Sequence, residues 1–131
     1  MATTILTSAD KLALANELNA AADKLEAEMA IPGADMVALD AQATALRNQA
    51  ERAIAAAIIL RGQAVNINTE QLANAIKHCN QVIDRVNGFR KKIAVATALV
   101  SFFGVVLTGD IVKIVQAGVA LDKKLDQIEQ A

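Results

Sequence analysis

Residues Ile93–Gly109 read IAVATALVSFFGVVLTG, 17 residues without a charge, set between Arg90-Lys91-Lys92 and Asp110. No other stretch of the chain is as apolar. As a helix rising 1.5 Å per residue it would be about 25 Å long, slightly short of a hydrocarbon core of ~30 Å. It therefore has two physical fates. It is either a central helix, apolar on all sides because neighbours surround it, or a segment that enters lipid.

The sequence on either side is helical in period. Thr108-Gly109-Asp110 reads as a tight reversal, with Gly109 for the turn and Asp110 as the next N-cap. A last helix then runs from Ile111 to about Gln130. Its seam of Ile111, Ile114, Gly118, Leu121, Leu125 and Ile128 has 3-4-3-4-3 spacing. Upstream, Leu72, Ile76, Cys79, Ile83 and Val86 repeat at 4-3-4-3 on a third helix. Asn68 and Gln71 are its expected capping box, and Asn87-Gly88 is either its end or a soft point in a longer helix. A first helix is expected from Ser8 to Ala30, opened by Thr7 or Ser8 and carrying the stripe Leu14, Leu18, Ala21, Leu25. Ile31-Pro32-Gly33 stops it. A second is expected from Asp35 to Gly62 on the seam Leu39, Ala43, Leu46, Ala50, Ala53, Ala57, Leu60, widened by Ile54, Ile58 and Ile59. Such 4-3 seams belong to left-handed helix pairs. A loop is expected at 63–68, and no stretch shows strand alternation. The expectation is an all-α, antiparallel, largely up-and-down bundle of four or five helices with an apolar hairpin between the last two, forming one domain over 1–131.

Composition narrows function. The chain has 131 residues, 13 basic and 14 acidic side chains, and a mean hydropathy of +0.34. With a net charge of −1 and three aromatic residues, it offers neither the basic field nor the stacking surface of a nucleic-acid binder. One cysteine excludes an internal disulfide and a thiolate cluster. The one histidine, His78, excludes HExxH, and position 75 is Ala where a Glu-x-x-His metal motif needs Glu. His78 and Cys79 are adjacent on a helix and so point about 100° apart. Cys79 falls on the seam, where a buried inert thiol is expected. No cofactor, catalytic residue or small-molecule substrate is read. The N-terminus MATTILTSADKLA lacks a basic segment followed by a long apolar run, so no secretory signal is read and a cytoplasmic location is expected.

Folding the hairpin at Gly109 brings Arg90, Lys91 and Lys92 level with Lys123 and Lys124. The expected membrane or partner surface over 93–121 comprises Val95, Leu99, Val100, Phe102, Phe103, Val105, Val106 and Leu107. On the second arm it continues with Ile111, Val112, Val115 and Val119. The five basic residues are the expected contacts to head groups or an acidic partner. Ala94, Thr97, Ser101, Gly104 and Thr108 form a small-residue stripe suited to facing a neighbouring helix. Two functions follow from the two fates. The first is a non-enzymatic interaction protein, immunity-, chaperone- or adaptor-like, that binds a protein partner or a second copy of itself helix to helix. The alternative is a membrane-inserting or pore-forming component.

Overall fold

The computed structural model describes residues 2–56, 58–62 and 69–131. Among these residues five helices pack against one another: α1 (Ser8–Glu28), α2 (Met36–Ala55), α3 (Thr69–Arg85), α4 (Phe89–Thr108) and α5 (Ile111–Gln130). The all-α bundle read from the sequence is the fold. Ion pairs and hydrogen bonds between helices give the directions. Arg47 of α2 bonds Asp23 and Glu26 of α1, and Lys11 donates to the Ala56 carbonyl, so α1 and α2 run antiparallel. Asn80 of α3 donates to the Glu17 carbonyl and Lys24 pairs with Asp84, so α1 and α3 run parallel. His78–Asp122 and Arg85–Glu129 set α3 parallel to α5. Helix α4 packs against α2, α3 and α5, and α5 also touches α3.

The seams go where their period sends them. Leu14, Leu18, Ala21 and Leu25 of α1 are buried, as are Leu39, Ala43, Leu46, Ala50 and Ala53 of α2. With alanine at the contacts the α1 and α2 backbones approach closely, since little side-chain volume separates them. The whole α3 seam, Leu72 to Val86, is buried. Caps fix the ends. Thr7 accepts from the Asp10 N–H at 3.1 Å, and Asp10 accepts from the Thr7 N–H at 3.0 Å, a reciprocal capping box. That backbone N–H, and then the Thr7 hydroxyl, hold the Asp10 carboxyl below its ordinary value. Asp35 caps α2 and Asp110 caps α5. Gly88, at φ +90°, separates α3 from α4, so these are two helices rather than one.

Two expectations are corrected. The second helix does not reach Gly62. It ends at Ala55, and Ile59–Gly62 is a strand, β2. This strand pairs antiparallel with β1 (Ala2–Ile5), from Ala2 opposite Gly62 to Ile5 opposite Ile59. The expectation of no strand is overturned with it. Consecutive β-branched Ile58 and Ile59 fit an extended backbone. Leaving the helix lets Ile58 and Leu60 turn into the core, where both are buried. Ile54 does not widen the apolar face of α2; it is exposed. Ala57, the loop at 63–68 and the cap at Asn68 lie outside the described residues.

The ribbon meets the hairpin at its tip. Gly109 sits at φ +75° in the left-handed region, and its carbonyl accepts from the Arg61 N–H at 2.7 Å. A Cβ there would lie 2.1 Å from the Ile59 carbonyl oxygen, so the glycine is required both for the turn and for the approach.

Candidate functional site

Helix α4 presents its large side chains inward. Val95, Ala96, Leu99, Phe102, Phe103 and Val106 are buried, and Ile111, Ile114, Leu121 and Leu125 of α5 join the same core. The expected lipid- or partner-facing set is therefore divided. Val95, Leu99, Phe102, Phe103, Val106 and Ile111 belong to the core; Val100, Val105 and Leu107 are half-buried; Val112, Val115 and Val119 are exposed. The orientation expected of an inserted hairpin, large residues out and small residues in, is reversed. Burying a Leu, Val or Phe side chain contributes roughly 1.5–3 kcal/mol, far more than an Ala or Thr offers, so the bundle draws in the large face.

The small residues line a groove of about 560 Å³ between α4 and α5, open to solvent. Ala94, Thr97, Ala98, Ser101, Phe102 and Val105 form one side; Ala117, Ala120, Leu121 and Lys124 form the other. A Cβ at Gly118 would lie 3.9 Å from the ring edge of Phe102, so the two helices close over the core beneath the furrow. Above the buried Phe102 and Leu121 the walls are mostly alanine, threonine and serine, with Val105 and Lys124 beside them, which leaves the space concave. The α4 backbone is also held from behind: the Gln49 amide of α2 donates to the Val100 carbonyl at 2.8 Å.

The five basic residues separate into two groups. Lys92 is committed to the body: it donates to the Ile83 carbonyl and pairs with Glu28 at 3.2 Å, with both side chains about 15% exposed. Lys91 donates to the Ala131 carbonyl. Arg90, Lys123 and Lys124 are exposed, and none of them makes an ion pair among the described residues. Lys113, in the first turn of α5, is exposed and makes no ion pair among the described residues. Asp122 and Glu129 face the other way: Asp122 lies 3.6 Å from His78, and Glu129 pairs with Arg85 of α3. Asp126, four residues after Asp122, lies on their flank.

Neither Cys79 nor His78 is among the residues lining the groove. Cys79 is buried in the core, and burial, with the Asp122 carboxylate adding to it, pushes its thiol up to about 12. His78 is half-exposed, its Nδ1 3.6 Å from Asp122. The groove itself was not read from the sequence. The signal for it was present in the small residues of α5, Ala117 and Ala120, which lie on the flank opposite Asp122. No protein-family model, no curated protein and no solved structure matches this chain.

Proposed function

We propose that the chain is a non-enzymatic helical-bundle interaction protein, immunity-, chaperone- or adaptor-like in mode, that binds a partner by helix-to-helix contact at the α4–α5 groove. The observation that carries this reading is the groove: an apolar, concave furrow on the outer side of a helix pair whose inner side completes the core. Recognition grooves that hold an amphipathic helix have this character. The test is a photocrosslinking amino acid placed at Ser101 or Ala120 in the groove and, as control, at Asp40 on exposed α2, with the protein expressed in its own cell. One discrete adduct from both groove positions and none from Asp40 is expected. No adduct, or equal labelling from all three positions, would overturn the reading.

A second reading has its own observation. Phe89–Thr108 is long and apolar enough to cross a membrane, and 33% of its most apolar window is buried. Insertion of the hairpin would require Leu99, Phe103 and Val106 to leave the core and the Arg61–Gly109 hydrogen bond to break. Co-sedimentation with liposomes, accompanied by loss of protection of the α1–α3 amides from hydrogen exchange, would install membrane insertion in place of helix binding.

A further inference from the structure

The outer face of the α4–α5 pair has one sign of charge. Between Val86 and Leu121 the only acidic residue is Asp110, whose carboxylate caps α5 at the tip. Among the described residues, Lys124 is the one charged side chain lining the groove. Arg90, Lys123 and Lys113 are the other exposed cations of the pair, with no ion-pair partner among the described residues. Asp122 and Glu129 of α5 are turned toward α3 and do not line the groove.

From this we infer that the occupant of the groove is an acidic amphipathic helix of about three turns, a deepening that rests on the helix-binding reading above. The groove runs from Ala94 to Val105 along α4, roughly 17 Å at 1.5 Å per residue, which sets the length. Walls mostly of alanine, threonine and serine leave room for larger apolar side chains carried by the partner, on its i, i+3/i+4 and i+7 positions. Glutamate or aspartate at the partner's edge and end would meet Lys124, Lys123 and Arg90. Two copies of this chain set groove to groove would bring no carboxylate to meet Lys124, since no acidic residue is among the described residues lining this face, so a second copy lacks the complementary charge. A lipid surface is disfavoured by shape: peripheral insertion needs protruding large apolar residues, and this face is hollow.

The test is selection of helices from a display library on the purified protein. The library fixes a three-turn helical scaffold and randomises the contact and flanking positions. Enriched helices are then made as peptides and measured against the parent, Ser101→Trp, Ala120→Trp and the triple charge reversal Arg90→Glu/Lys123→Glu/Lys124→Glu. Circular dichroism melts establish that each variant is folded, and the two tryptophan variants at exposed positions serve as independent blocks. The expected result is enrichment of Asp and Glu at the flanks and of Leu, Ile or Phe on the contact stripe. Affinity should fall at least tenfold in both tryptophan variants and in the charge reversal, and weaken as salt rises. Helices that enrich and are blocked by tryptophan, but with no acidic excess and no response to charge reversal, would overturn this inference and leave the helix-binding reading standing. Binding insensitive to both tryptophan variants, or no enrichment at all, would overturn both. Binding to phosphatidylglycerol vesicles lost in the same variants, without helix enrichment, would assign the face to a membrane instead.

Discussion

The backbone N–H of Arg61 donates to the carbonyl of Gly109 at 2.7 Å, joining the ribbon to the tip of the apolar hairpin. Arg61 and Asp110 form a parallel bridge at the same point. The strand that the α2 periodicity concealed is thus the element that fixes where α4 ends and α5 begins.

The first prediction compares two glycines. Gly109→Ala places a Cβ in the left-handed region and 2.1 Å from the Ile59 carbonyl oxygen, so backbone must move. Gly33→Ala, at φ +85°, meets nothing within 4 Å. The conformational penalty alone is about 1–2 kcal/mol, so Gly33→Ala should lose that much in urea unfolding. Gly109→Ala should lose clearly more or fail to fold. Equal losses would show that the ribbon does not hold the tip.

The sequence disclosed the α3 seam because most positions off it are polar, Ala73, Ala75 and Val82 being the exceptions. Each of Leu72, Ile76, Cys79, Ile83 and Val86 could face only one way, and all are buried. The ribbon was hidden for the opposite reason. Residues Ala53 to Leu60 contain no polar residue, glycine or proline to mark a break, and the four-residue partner strand begins at Ala2, far away in the chain. Pairing of that kind is non-local and too short to show alternation. The candidate site was half legible. Clustering of basic residues at one end of the hairpin follows from counting residues to the turn. That Lys92 is occupied by Glu28 and the Ile83 carbonyl depends on how α1 and α3 pack, which no local pattern carries.

The Cys79 thiol should be close to inert in the folded protein. With burial pushing it up to about 12, its thiolate fraction at pH 8 is on the order of 10⁻⁴. Ellman's reagent should modify it at least about a hundredfold more slowly than free cysteine, with full reactivity restored in denaturant. Reaction of the native protein at the free-thiol rate would place Cys79 outside the core.

Phe103 and Ser101 test which face of α4 the fold has chosen. They are two residues apart, one fully buried and the other exposed on the groove. Phe103→Asp puts an unpaired carboxylate into the packed interior and should cost more than about 4 kcal/mol or abolish folding. Ser101→Asp should cost less than about 1 kcal/mol. Thermal melts of the two variants decide it. A stable Phe103→Asp protein would mean that the hairpin does not complete the core, and would favour membrane insertion.

Gln49 carries the last prediction. Its side chain is 8% exposed; its amide nitrogen donates to the Val100 carbonyl, and its amide oxygen has no partner among the described residues. Turning the amide over would set oxygen against oxygen, so the carbonyl of α4 dictates the orientation. Gln49→Glu keeps the shape but sets a carboxylate beside that carbonyl. Burial and the facing oxygen should raise its folded pKa above the unfolded value of about 4.3. A raised acid is destabilising above its unfolded pKa, because the unfolded chain releases the proton more readily. Stability relative to the parent should therefore be nearly restored at about pH 4, fall as pH rises, and reach a deficit of roughly 3 kcal/mol by pH 7. Gln49→Met removes the unpaired oxygen as well as the donor and should stay within about 1.5 kcal/mol of the parent at both pH values. Urea titrations of both variants at pH 4 and pH 7 measure the difference. A Gln49→Glu protein equally stable at the two would show that position 49 reaches water, and that the α2–α4 contact behind the groove is open.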